Sequence, residues 1–303
     1  PVLPRHSSAL GAVFVLTETR RQDRVQLDVL GAVLATAGLV ALVYGLSAAA
    51  THGWTDPSTL GPLIGGVGLL LVFLLAQARV RSPLLPLPIV AHRSRGGAYL
   101  SFVLIMVGMF GMFLFVSFYL QTVAGYTPLQ TGVAFLPFAA GVLGVSVLIG
   151  RIITRFPARV FLATGLLLAA AGMAWLTQLG IDGRYTQNVL PAVLLIGSGL
   201  GTMSPAAANL ATLDVAAHES GVASAVLNAS EQVGASVGLA LLNTVAASQT
   251  TAYLAAHPGH RLAGLVDGYT AATAWGSGIL ATGAIVVLAL VNTHLGQHHS
   301  RLE

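Results

Sequence analysis

Of the 303 residues, 55% are hydrophobic and only 8% are charged, and the mean hydropathy is +0.81. A soluble domain carries about 25% charged residues, so the composition excludes an ordinary water-soluble fold and makes lipid the solvent. The net charge of +4 comes from Arg scattered between apolar runs, with no Lys, which excludes a basic nucleic-acid face; the absence of Cys excludes disulfides and Cys-based metal sites.

A bilayer-crossing helix needs about 20 mostly apolar residues. Eight segments qualify: 27–49, 59–79, 97–121, 128–150, 159–180, 188–212, 219–247 and 270–292. The fold class expected is an all-α polytopic membrane protein with eight transmembrane helices. Residues 9–16 (ALGAVFVL) are too short to cross alone and read as the end of a helix that begins upstream. The chain starts PVLPRHSSAL without Met, and no basic, apolar and small-residue sequence marks a signal peptide, so it reads as the back part of a longer protein.

The segments between these spans carry a strong charge asymmetry. Arg20, Arg21 and Arg24 precede span one, Arg79, Arg81, Arg93 and Arg95 follow span two, Arg151, Arg155 and Arg159 follow span four, and Arg301 lies in the tail. The opposite side has Arg184 and Arg261, with Arg5 before the ordered pattern. The positive-inside rule makes the arginine-rich side cytoplasmic, including the C-terminus, and the regular alternation supports the span count.

Small residues recur four apart at Gly61 and Gly65, Gly197 and Gly201, and Gly234 and Gly238, a spacing that permits close helix contact. The packing role is expected above all at Gly234 and Gly238. Pro137, Pro191 and Pro205 lie in or at the start of spans, where neighbouring helices satisfy the freed backbone groups. GSGLGT (197–202) has the outline of a dinucleotide loop but follows no strand and lies in an apolar helix, so it is rejected as one. His294 and His298 have metal-ligand spacing but no third ligand, and read as part of a solvated tail. No GxSxG, HExxH or Walker pattern occurs, and neither an enzyme, a metal nor a cofactor is expected.

Span three, SFVLIMVGMFGMFLFVSFYLQ, is dense in Met and Phe. Each is most simply a packing or lipid-facing residue, but Met109 and Phe113 share a face one turn apart, and soft apolar side chains suit an adaptable pocket. Span seven is more pointed. On a wheel of about 100° per residue, Ser224, Asn228, Glu231, Gln232, Ser236 and Asn243 fall within one sector of about 140°, opposite Ala, Val and Leu. A polar stripe within a membrane faces the bundle interior or a water-filled cavity, and an ionisable group on it is a candidate functional site. The plain alternative is a protonated carboxyl bonded to a neighbouring helix.

YLQTVAGYTPLQTGVAFLP (119–137) followed by GRIITRFPARV (150–160) resembles the back half of the major facilitator superfamily, and more narrowly its fourteen-helix drug:proton antiporter branch. LDVLGAVLATAGLVALVYGLS (27–47) is similar to that branch's first inserted helix, and 188–212 and 221–245 to its antepenultimate and penultimate helices. The resemblance covers nearly the whole chain. It implies four parts: 1–26, the end of a truncated helix and a cytoplasmic linker; 27–96, an inserted two-helix hairpin and loop; 97–292, the C-terminal six-helix bundle; and 293–303, a cytoplasmic tail. It further implies that spans three, four, six and seven line a central cavity holding Glu231, Asn228, Gln232, Ser224, Met109 and Phe113.

Gly150, Arg151, Arg155 and Arg159 match the superfamily's cytoplasmic Gly–Arg loop, while Thr154 replaces its usual Asp and Pro157 its usual Gly. Glu231 stands where the family more often has Arg or Gln. The function expected from the resemblance is a proton-coupled exporter of amphipathic or cationic small molecules in a bacterial plasma membrane. Its partners would be substrate, protons, lipid and an absent N-terminal half. A dedicated exporter of one metabolite or antibiotic, and a non-transporting membrane sensor or scaffold, remain the alternatives at this point.

Overall fold

The computed structural model describes residues 28–79, 93–212 and 220–291. Residues 9–16, Arg5, Arg20, Arg21, Arg24, Arg81, Arg301, His294, His298, the 1–26 segment and the 293–303 tail lie outside them. Among the described residues eight helices are long and apolar enough to cross a membrane. We label them α1 (Val29–His52), α2 (Pro57–Gln77), α3 (Arg93–Phe118), α4 (Pro128–Ile152), α5 (Ala158–Leu176), α6 (Leu190–Thr212), α7 (Ser220–Ala256) and α8 (Arg261–Leu290).

Local chemistry sets the ends. The Asp28 carboxylate accepts from the Gly31 amide at 2.8 Å, opening α1, and Gly53 at φ 88° closes it. Asp56 accepts from the Ser58 amide at 2.8 Å, with Pro57 supplying the first helical residue of α2, where its missing N–H costs nothing. Thr127 and Gln130 form a reciprocal capping box at the start of α4. Short π-helical turns, Tyr119–Val123 and Tyr185–Val189, end α3 and begin α6.

Two helices run further than hydropathy alone predicts. α7 continues to Ala256 and α8 begins at Arg261, each about nine residues beyond its apolar core. At 37 residues α7 is about 55 Å long, well over the roughly 30 Å of a bilayer core. The extension is held by its neighbour: Gln249 donates to Asp267 at 2.9 Å, and Gly264 lies against Leu254 and Tyr253.

The bundle α3–α8 has a repeated plan. α3 packs on α7 and on α8; α6 packs correspondingly on α4 and on α5; α5 meets α8, and α3 meets α6. Exchanging α3–α5 with α6–α8 carries these contacts into each other, although the extensive α7–α8 contact has no α4–α5 counterpart of similar extent. Because each unit crosses three times, the two units run in opposite directions, as inverted repeats do.

The α3–α7 and α4–α6 contacts are made by glycines four apart. A Cβ on Gly238 would stand 2.6 Å from the Val107 Cα, and one on Gly234 would collide with the Val103 carbonyl. On α6, a Cβ on Gly201 would stand 2.5 Å from the Val142 carbonyl, and Gly197 lies against the Phe138 carbonyl. Gly199 turns to α5, where a Cβ would meet the Gly165 carbonyl at 2.5 Å. The GSGLG stretch is thus a helix interior pressed between two neighbours.

Gly61 and Gly65 differ. Both face open space, and the α1–α2 hairpin closes instead at Gly66, where a Cβ would stand 2.7 Å from the Leu42 amide and 2.9 Å from the Gly38 carbonyl. At the arginine-rich end Gln77 donates to Asp28 at 2.6 Å. The hairpin leans on α7 through Ala49 and Ala240, with Trp54 Nε1 donating to Thr244 Oγ1 at 3.1 Å.

Large apolar side chains lie exposed on the outside, such as Leu129 at 79%, Ile64 at 70%, and Leu143 and Ile285 at 68%. Water would not tolerate so wide an apolar surface; lipid does.

Candidate functional site

α7 carries the polar stripe in two parts. Ser224, Asn228 and Gln232 are exposed and Glu231 is half-buried, whereas Ser236 is buried and Asn243 half-buried further along the helix. Ser224 and Asn243 have partners, but the side chains of Asn228, Glu231 and Gln232 take no hydrogen-bond or ion-pair partner among the described residues. The unpaired carboxyl is the only charged side chain on α7 and lies on the polar stripe about 17 Å of rise from the helix start. Its neighbours Gly234 and Gly238 fix α7 against α3, so the stripe is held on a close backbone contact rather than on flexible side chains.

That contact also sets the register. Gly234 meets Val103 and Gly238 meets Val107, so residue numbers on the parallel helices α3 and α7 differ by 131 at one level. Glu231 is then level with Leu100, and Phe113 with Thr244. The thirteen residues between those levels amount to about 20 Å of rise. Met109 and Phe113 are both half-buried on α3 and lie in the half of the bundle away from the arginine-rich end. The six candidate cavity residues thus occupy two depths. Tyr99, level with Ser230, buries a hydroxyl that has no hydrogen-bond partner.

At Phe113's depth the structure adds residues that the sequence reading did not single out. The Phe113 ring lies 4.6 Å from that of Phe135 and 5.1 Å from that of Phe138, both on α4. α4 breaks here: Phe135 has φ −90° and ψ −5°, Pro137 lacks an N–H, and the Phe138 amide donates to the Phe135 carbonyl at 3.0 Å instead of reaching back a full turn. The Ala134 carbonyl, left without that amide, accepts the Tyr185 hydroxyl at 2.8 Å. The available signal was the AFLPF run, two aromatics flanking a proline.

The Gly–Arg loop joins α4 to α5. Gly150 faces open space, Arg151 and Arg155 are exposed, and Arg159 is half-buried and engaged. Phe156 packs edge-on against Phe161 at 6.2 Å. Among the described residues no group of three or more His, Asp or Glu is arranged to hold a metal.

Inverted three-helix units, glycine-tight helix contacts and a polar stripe on a membrane helix define a polytopic transporter architecture. Residues 26–239 match the model of the Major Facilitator Superfamily, and the chain belongs to that family of transporters, not to an enzyme family. It is 45% identical over 286 residues to the puromycin resistance protein pur8 of Streptomyces alboniger, covering 92% of this chain and 57% of that protein. It is 35% identical over 261 residues to the cephamycin export protein CmcT of Amycolatopsis lactamdurans (84% and 54%). It is 32% identical over 249 residues to the tetracenomycin C resistance and export protein of Streptomyces glaucescens (82% and 46%). The chain spans about half the length of these curated relatives.

Proposed function

We propose that these residues are the C-terminal part of a proton-coupled exporter of amphipathic or cationic small molecules. α1–α2 would be an inserted hairpin and α3–α8 the second six-helix bundle. An N-terminal half would rock against that bundle about a central site to give alternating access. The C-terminus would face the cytoplasm, by the arginine asymmetry. The observation that carries the coupling is Glu231, a carboxyl without a partner on a membrane helix whose neighbours are apolar or uncharged. Such a group exchanges a proton for a cationic substrate at little cost, because neither state breaks an existing ion pair. Asn228, Gln232 and Ser224 would bind substrate or water beside it. Arg151, Arg155 and Arg159 would set topology and bind helix C-termini, since Thr154 supplies no acid for a latch.

The test is Glu231→Gln in the full-length protein, with efflux followed in everted vesicles under an imposed pH gradient. Loss of gradient-driven transport with retained substrate binding is expected. Unchanged transport with unchanged pH dependence removes Glu231 from the coupling. A dedicated exporter of a single antibiotic is the second reading, favoured by relatives each named for one compound. A resistance panel separates the two, since a broad profile supports the first and one protected compound the second.

A further inference from the structure

α3 and α8 run antiparallel and close-packed. Gly97 lies against Val291, Leu104 against Gly283, and Gly108 against Leu280. That register puts Val286 level with Phe102 and Trp275 level with Phe113. Beside these contacts the two helices leave a groove of about 680 Å³, open on its outer side. Leu100, Leu104 and Val286 wall the part nearer the arginine-rich end, and Trp275 stands at the far end. The groove exists because the outer row of α8 is small. Ala274, Gly278 and Thr282 come four apart along it, and a Cβ on Gly278 would meet nothing within 4 Å.

Direction and charge indicate what fills it. Leu104 and Phe113 are nine residues apart, which at about 100° per residue places them on opposite faces of α3. The groove therefore opens away from the Phe113 side of the bundle and towards the membrane, with Trp275 61% and Ile285 68% exposed. Arg93, Gly97, Leu100 and Leu104 share the face of α3 that runs along α8, since Gly97 and Leu104 both touch it. Arg93 is exposed and takes no ion-pair partner among the described residues, whereas Arg95 is half-buried and engaged. Arg93 precedes Leu100 by about 10 Å of rise. α3 carries no acid, and the one acid of α8, Asp267, lies near its opposite end. An uncompensated cation thus stands over one end of an apolar furrow. Long arginine side chains near helix ends reach the headgroup level, and basic pockets between membrane helices hold anionic headgroups.

We propose that the α3–α8 groove binds an anionic phospholipid from the leaflet on the arginine-rich side. One acyl chain lies along Leu100, Leu104 and Val286, and the headgroup phosphate pairs with Arg93. A chain surrounded by other lipid chains gains little from entering an apolar groove beyond close packing, so the preference for an anionic over a zwitterionic lipid comes from Arg93. The site needs only that these helices cross a membrane; it does not rest on the exporter reading.

The experiment places the full-length protein in phosphatidylcholine nanodiscs doped with a phosphatidylglycerol whose acyl chain carries a photoreactive diazirine. The control probe is the matching diazirine phosphatidylcholine. After irradiation, the labelled residues are mapped by mass spectrometry. Phosphatidylglycerol is expected to label the groove residues of α3 and α8 about 5-fold more than phosphatidylcholine does, the preference that one arginine near the surface supplies. Both probes should label the exposed face of α2 around Ile64 equally. Arg93→Gln should abolish the groove preference and leave phosphatidylcholine labelling unchanged. Val286→Trp, which adds bulk to an exposed wall, should lower groove labelling by both probes. Unaltered labelling around Ile64 and an unaltered circular dichroism spectrum show that each variant is folded. Equal labelling of the wild-type groove by the two probes would reduce it to ordinary lipid contact. A preference that survives Arg93→Gln would remove the headgroup contact, and labelling that ignores Val286→Trp would put the chain elsewhere. A groove that neither probe reaches would be covered by protein, either a second copy or the N-terminal half. Each of these four results overturns the site.

Discussion

The α1–α2 hairpin and the α3–α8 bundle use glycine differently. Gly61 and Gly65 on α2 have the same four-residue spacing as Gly197 and Gly201 on α6 and Gly234 and Gly238 on α7. The α6 and α7 pairs press against neighbouring backbone, whereas the α2 pair meets nothing within 4 Å. In lipid, apolar side chains gain nothing from hiding from solvent, so helix association depends on close packing and interhelical hydrogen bonds. Glycine spacing permits that approach; whether it is used depends on a partner helix whose own surface is low at the same level. Phe138 with Val142, and Val103 with Val107, offer backbone at matching four-residue intervals. On α2 the matching surface of α1, at Gly38 and Leu42, lies opposite Gly66.

The largest expected effect tests this contrast directly. Gly201→Leu and Gly238→Leu each drive a side chain into backbone that cannot rotate away. Each is expected to destabilise the bundle by about 3 kcal/mol or to prevent its assembly. Gly61→Leu and Gly65→Leu point into open space and are expected to stay within about 0.5 kcal/mol of the parent. Thermal unfolding in a fixed detergent, followed by circular dichroism, measures both sets. Equal losses in the two sets would mean that α2 has a partner at Gly61 and Gly65 and would erase the distinction.

Next comes Gly66→Leu, which sharpens the comparison within the hairpin. The Leu42 amide and Gly38 carbonyl leave no room for a side chain, and a cost of about 2 kcal/mol is expected. The loss should be confined to α1–α2, so crosslinking between cysteines placed on those two helices should fall while α3–α7 crosslinking persists. Parallel loss of both would mean that the hairpin and the bundle unfold as one unit.

How much of this was legible in the sequence follows from the kind of information each feature needs. The eight spans depend on composition along one segment and could be read directly. Their outer ends could not: Ser248, Gln249, Thr250 and Thr251 lower the hydropathy of α7, and only pairing with α8 carries the helix on to Ala256. The polar stripe needs only helical periodicity and was legible. The depth separating Glu231 from Phe113 needs the α3–α7 register, which two spans read one at a time do not contain. Gly66 escaped notice because its partner, Gly38, lies on another helix and not four residues away. Phe135 and Phe138 escaped because they acquire meaning only opposite Phe113.

A smaller effect belongs to the polar tie between hairpin and bundle. Trp54→Phe keeps the ring and deletes the donor to Thr244, whose hydroxyl still donates to the Ala240 carbonyl at 2.8 Å. No buried group is orphaned, so the expected cost is about 0.6 kcal/mol, the average for side-chain hydrogen bonds between membrane helices. A Trp54→Phe, Thr244→Val double-mutant cycle in the same unfolding assay isolates the pair. A coupling above about 2 kcal/mol would make this bond, rather than the Ala49–Ala240 packing, the main attachment of the hairpin.

The smallest effect concerns Asp56, which starts α2 locally and without help from the bundle. Its carboxylate accepts from the Ser58 hydroxyl at 2.5 Å and from the Ser58 amide at 2.8 Å, and these two bonds hold its pKa below the ordinary value. Both bonds favour the charged form, so the folded pKa lies below the unfolded one. Asp56 therefore contributes its stabilisation in full at neutral pH. That contribution starts to fade only as the pH drops below the usual carboxylate value of about 3.9, and it is gone once the pH passes below the depressed folded value. Carboxyl carbon shifts of Asp56 in lipid nanodiscs should titrate with a midpoint below that of a free Asp side chain. Asp56→Asn keeps a good capping acceptor but cannot titrate, so the start of α2 in that variant should hold through the same acid range. An Asp56 midpoint at or above the free value would mean that Ser58 does not hold the carboxylate in the membrane. The hairpin would then depend on α1 contacts alone, closing part of its difference from the bundle.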